Sequence, residues 1–90
     1  MVSNDAIGTI MEKFKITSSR IANLIWHLGT YEGTFRTQNT LSKRTGLTGE
    51  QIDEIVIGHP TIFHRSQNKT SGNIIYKLLD VAKSKFKELR

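Results

Sequence analysis

The chain contains no cysteine, a single proline and no apolar run near the roughly 18 residues of a membrane span. Without cysteine there is no disulfide framework, no thiolate metal site and no cysteine nucleophile, so a reducing, cytoplasmic setting is expected, nucleoid-associated in a prokaryote. The first residues, Met1-Val2-Ser3-Asn4-Asp5, lack a basic stretch leading into an apolar one, so no secretion signal is read there. A glycine-rich phosphate loop and a Ser-His-Asp set are also missing. His59 and His64 lie five residues apart without the two further ligands that zinc requires. Asn68-Lys69-Thr70 matches a glycosylation acceptor only by chance in a chain without a signal. No enzyme, metal, cofactor or small-molecule ligand is expected, and no membrane partner. Ninety residues leave room for one domain, spanning 1–90, that can bury about two-thirds of its extended surface. A nucleotide-binding α/β sheet with a substrate domain does not fit.

Thirteen Lys and Arg against eight Asp and Glu leave a formal charge of +5. Its placement says more than its size. Basic and acidic groups cancel over residues 1–58, and the excess falls entirely within 59–90, where Arg65, Lys69, Lys77, Lys83, Lys85, Lys87 and Arg90 are opposed only by Asp80 and Glu88. A polyanionic partner is one reading of that skew, and a solubilising surface is the other.

Hydrophobic spacing predicts a mainly α fold with a small β-hairpin. Ile7, Ile10, Met11 and Phe14 repeat at helical intervals over about 4–15, behind Ser3 or Asn4 as N-cap. A second helix is expected from about Ser18 to His27, carrying Ile21, Leu24, Ile25 and Leu28, with Gly29 closing it in the left-handed region. Gly33–Thr37 reads as one brief strand, after which Thr37 caps a third helix from Gln38 to Thr45, stopped by Gly46. Thr48-Gly49-Glu50-Gln51 has the form of a capping box, with Leu47 stapled onto Ile52. The fourth helix turns Ile52, Ile55 and Val56 inward and ends near Gly58, because Pro60 disfavours helix at His59. Thr61–Ser66 and Asn73–Leu78 form a hairpin with a polar tip, and a last helix over about 79–89 sets Leu79, Ala82, Phe86 and Leu89 against Lys83, Lys87 and Arg90.

Leu41, Ser42, Gly46, Leu47, Ile52 and Ile55 have the spacing of a helix-turn-helix: a small residue where helices cross, a glycine at the turn and apolar residues closing the wedge. An αα-hairpin of purely structural purpose has much the same pattern. With the strand around Phe35, the segment Leu41-Ser42-Lys43-Arg44-Thr45-Gly46-Leu47-Thr48, and the hairpin from Ile62-Phe63-His64-Arg65 to Ile74-Ile75-Tyr76-Lys77, the chain resembles the winged helix-turn-helix superfamily over about 18–79. The helices at about 4–15 and 79–89 flank that core. They either pack onto it or join two copies as a homodimer.

The resemblance implies a binding protein for double-stranded DNA, of transcriptional or replication-regulator type, with the second helix of the pair in the major groove and the wing on backbone or minor groove. Carried over residue by residue, the groove-facing candidates are Thr48, Gly49, Glu50, Gln51, Glu54 and Ile57. Gln51 has two competing roles, a bidentate contact to adenine and the capping box. Gln38, Lys43, Arg44, Arg65 and Lys69 are the phosphate candidates, with Asn68 beside them in the wing. Three to five neutralised phosphates correspond to a salt slope of roughly −3 to −4.5. Against this, Glu50, Asp53 and Glu54 make the presumed recognition helix acidic, which also suits a helix N-terminus. The alternative is a protein-interaction module that docks the acidic helix 50–57 on a basic partner. Single-stranded nucleic acid would require exposed aromatics on a basic face, whereas hairpin alternation turns Phe63 and Tyr76 inward.

Overall fold

The computed structural model describes residues 3–89. Five helices and three strands follow in the order α1 (Asn4–Phe14), α2 (Ser19–Gly29), β1 (Arg36–Thr37), α3 (Gln38–Thr45), α4 (Gly49–Gly58), β2 (Phe63–Gln67), β3 (Ile74–Leu78) and α5 (Asp80–Lys87). The strands form an antiparallel sheet in the order β1-β3-β2. Arg90, expected on the outer side of the last helix, lies outside the described residues. Among those described, no helix is long and apolar enough to cross a membrane.

Caps set most of the boundaries. Ser3, Ser18, Thr37 and Thr48 each accept a backbone N–H of the first turn they precede. At Thr48 the box is complete: Thr48 Oγ1 accepts from Gln51 N at 3.1 Å, and Gln51 Oε1 accepts from Thr48 N at 2.9 Å. Gly46 ends α3 at φ 77°, a left-handed turn that a side chain would strain. Ser42, at the helix crossing, donates its hydroxyl to the Leu47 carbonyl at 2.6 Å, tying α3 to the turn that follows.

One apolar cluster unites all five helices with the hairpin. Leu24, Ile25, Leu28, Leu41, Ile52, Val56, Phe63, Tyr76 and Phe86 are buried in it. The stripe of α1 packs inward through Ile10, with Ile7, Met11 and Phe14 at its margin, and α5 contributes Ala82 and Phe86. Both flanking helices thus cover their apolar faces within the chain, and a homodimer through them would use other residues, such as Val81 at 74% exposure.

Three expectations are corrected. The strand expected over Gly33–Thr37 is confined to Arg36–Thr37, so Phe35 precedes it. Gly29 does not close α2 in the left-handed region: it is the last helical residue, and Thr30 caps the helix in right-handed conformation. A glycine is needed at 29 because a Cβ there would lie 2.5 Å from the Phe86 ring. Lys83 is not part of a free basic stripe on α5. Its ammonium donates to the carbonyls of Leu28 (3.3 Å) and Tyr31 (3.0 Å), satisfying acceptors at the C-terminal end of α2.

Candidate nucleic-acid interface

The helix-turn-helix pair and the hairpin are joined by a short polar network. Strand register pairs Arg65 with Tyr76, so both side chains project from one face of the sheet, toward α4. Tyr76 is fully buried and its hydroxyl reaches Asp53 on α4, donating to Oδ1 at 2.7 Å. Arg65 Nε donates to the same oxygen at 2.6 Å. From the other side, Gln38 Nε2 at the start of α3 donates to the Tyr76 hydroxyl (2.9 Å) and to the Gly49 carbonyl (3.2 Å). Four elements are therefore linked through one phenol and one carboxylate, which holds the wing at a set angle to α4.

The charges respond as this geometry requires. Hydrogen bonding from Arg65 holds the Asp53 carboxyl below the usual carboxylate range, aided by Tyr76 and opposed by burial. Burial, and then donation to Asp53, push the Tyr76 phenol up to about 12. One of the three acids of α4 is thus already matched by a wing cation. Glu50 sits in the first turn, where the helix dipole favours it.

Cations border α4 on both sides. Arg65 lies on the sheet side, and Lys69 is exposed at the wing tip. On the opposite side, Arg20 at the start of α2 lines a groove shared with Gln51, Glu54 and Ile55. Arg20 also lines a second, open groove of about 690 Å³ with Arg44, His27 and Asn23. Burial, with Arg36 and Arg44 nearby, holds the His27 imidazole below its ordinary range. Between the two flanks, Glu50, Glu54 and Ile57 are exposed along α4.

The residues singled out from the sequence divide into two groups. Lys43, Arg44, Thr48, Arg65, Asn68 and Lys69 are exposed. Arg65 is nonetheless engaged by Asp53. Gln38, expected at a phosphate, is half-buried with its amide nitrogen bonded to the Gly49 carbonyl and the Tyr76 hydroxyl. Gly49, expected to face the groove, backs onto this amide, and a Cβ would lie 2.6 Å from Gln38 Oε1. Gln51 uses its carbonyl oxygen in the capping box, so a bidentate adenine contact would require opening it. Asn68 organises the wing tip, its Oδ1 accepting from the backbone N–H groups of Thr70 and Ser71. Phe63 and Tyr76 are buried, as alternation predicts. Arg20 carries no local signal of such a role in the sequence: it is the one Lys or Arg of α2, and only the packing of that helix brings it beside α4.

No protein-family profile and no curated protein sequence matches the chain. Solved structures do. AbfR bound to DNA superposes with a TM-score of 0.73 at 15% identity, over 94% of this chain and 61% of that one. The Staphylococcus aureus MepR–DNA complex gives 0.70 at 15% identity, over 94% and 70%. YusO from Bacillus subtilis gives 0.69 at 16% identity, over 94% and 60%. The fold is a winged helix-turn-helix. The chain spans about three-fifths of the length of the AbfR and YusO chains. In this fold α3 and α4 are the helix-turn-helix pair, and the β2–β3 hairpin is the wing.

Proposed function

We propose that this chain binds duplex DNA as part of a regulator of transcription or replication, with α4 in the major groove and the wing against the backbone. AbfR and MepR, which share the fold at low identity, have been solved with DNA. The observation that carries the reading is the Gln38–Tyr76–Asp53–Arg65 network. It fixes the angle between recognition helix and wing while leaving the outward ridge of α4 open between two cationic flanks. Phosphate contacts fall to Lys43 and Arg44 on one flank and to Arg65 and Lys69 on the other, joined by Arg20. Gln38, Thr48, Gln51 and Asn68 serve by shaping the surface. Two copies related by a two-fold axis would set their α4 helices on half-sites about one turn of DNA apart.

The test is fluorescence anisotropy with a random-sequence duplex of about 20 base pairs over roughly 50–200 mM salt. Three to five phosphate contacts per chain give a slope of log affinity against log salt of roughly −3 to −4.5. Lys69→Ala and Arg44→Ala should each flatten it by about 0.9 and weaken all sequences alike. A wild-type affinity independent of salt, or slopes unchanged in both variants, would overturn the assignment.

A further inference from the structure

The outward ridge of α4 carries an unusual set of side chains for a DNA-facing helix. Glu50, Glu54 and Ile57 are all exposed, Ile57 at 64%. Their i, i+4, i+7 spacing places them on one narrow strip about 10 Å long, the length of about three base steps. Gln51 commits its amide oxygen to the capping box, and Asp53 its carboxylate to Arg65 and Tyr76. The strip that α4 turns outward carries two carboxylates and one branched alkyl group.

Chemistry narrows what those groups can recognise. A carboxylate only accepts hydrogen bonds, and the donors exposed in the major groove are the amino groups of cytosine and adenine. Adenine places its N7 acceptor beside that amino group and repels a carboxylate, which leaves cytosine N4 as the fitting partner. The one apolar feature on a major-groove edge is the thymine methyl, the natural contact for Ile57. Phosphates would repel Glu50 and Glu54. Only a helix seated deep between the strands, with Arg20 and Arg44 at one wall and Arg65 at the other, keeps the acids at the base edges and the cations on the backbone.

Resting on the DNA-binding reading above, we propose that α4 determines sequence specificity as a pyrimidine reader, Glu54 and Glu50 accepting from cytosine amino groups and Ile57 packing on a thymine methyl. Arginine-to-guanine contacts play no part in it. The ridge sets which sites are chosen, and the flanking cations set how tightly any duplex is held.

The experiment is retention of a random 20-base-pair duplex pool by the full chain at about 50 mM salt, followed by sequencing of the bound fraction, for wild type, Glu54→Gln and Ile57→Ala. Both substitutions are on exposed positions outside the core and the Asp53 network, so folding is spared. The wild-type pool should show C·G pairs enriched about ten-fold at two positions, one under Glu54 and one under Glu50, and a T·A pair about three- to five-fold at a neighbouring one. Glu54→Gln should move the preference under Glu54 from C·G to A·T, whose adenine a glutamine amide pairs with, and Ile57→Ala should abolish the thymine preference alone. Replacing thymine by uracil in the selected site should weaken wild type by the same three- to five-fold and leave Ile57→Ala unaffected. Retention with flat base composition, a C·G preference that Glu54→Gln leaves unmoved, or a T·A preference that Ile57→Ala leaves unmoved would overturn this inference while leaving DNA binding intact. No retention of any duplex would overturn both.

Discussion

Replacing Tyr76 by phenylalanine removes one oxygen from the centre of the molecule and leaves the ring in place. That oxygen accepts from Gln38 at 2.9 Å and donates to Asp53 at 2.7 Å. A neutral hydrogen bond contributes about 0.5–1.5 kcal/mol and one to a charged group about 1.5–3 kcal/mol. Both partners keep another contact, Gln38 with Gly49 and Asp53 with Arg65, and both have access to water. The loss should therefore fall well below the sum, at about 1.5 kcal/mol, which for a domain of this size lowers the melting temperature by about 6–12 °C. Gly49→Ala drives a Cβ to 2.6 Å from Gln38 Oε1 and should break the same chain of bonds from the other end. The double variant should then cost less than the two single losses together, since they act on shared links. Thermal unfolding followed by far-UV circular dichroism on the four proteins measures this. A Tyr76→Phe protein melting with wild type, or strict additivity with Gly49→Ala, would refute the view that the phenol joins α3, α4 and the wing.

Other perturbations test the packing around this frame. Gly29→Ala places a Cβ 2.5 Å from Phe86, so the ring must move and stability should drop by about 1–3 kcal/mol in a urea titration. Lys83→Met keeps the aliphatic stem but removes the donor to the Leu28 and Tyr31 carbonyls, and should cost about 1 kcal/mol with faster amide exchange at the end of α2. The folded chain binds a proton at His27 less readily than the unfolded one, because burial and then Arg36 and Arg44 disfavour the imidazolium. Stability should accordingly be complete above the unfolded imidazole value of about 6.5 and decline as pH falls through the folded value, a slope that His27→Gln should reduce. The raised Tyr76 phenol acts at the other extreme: its contribution is present below about 10 and is lost as pH climbs through about 12.

What could be read from the sequence was what is local along the chain. The capping box of Thr48 and Gln51 spans three residues, the Gly46 turn one, and the apolar stripes at most two helical turns, so each leaves its mark within a short window. The helix-turn-helix and hairpin follow from those marks. The network that arranges the site is of another kind. Gln38 and Tyr76 are 38 positions apart, Asp53 and Tyr76 23, and Lys83 and Leu28 55. Nothing in the neighbourhood of Gln38 distinguishes an amide bound for a phosphate from one bound for a tyrosine hydroxyl. The charge of Asp53 carries a similar ambiguity: as sequence it is one of three acids arguing against DNA, and in the fold it is the anchor of a wing arginine. Gly29 was legible as a glycine that matters at a helix end, while its reason, the ring of Phe86, comes from another element entirely.

One surface, formed by the ridge of α4, the wing tip and the start of α2, carries the proposed binding. Titrating the isotopically labelled chain with random-sequence duplex DNA and following backbone and side-chain NMR shifts tests it most directly. The largest changes are expected at Glu50, Glu54 and Ile57, at residues 68–73 of the wing tip, and at Ser19 and Arg20, with α1 and α5 nearly unmoved. Changes concentrated on α1 and α5 with α4 silent, or none at any residue, would contradict it.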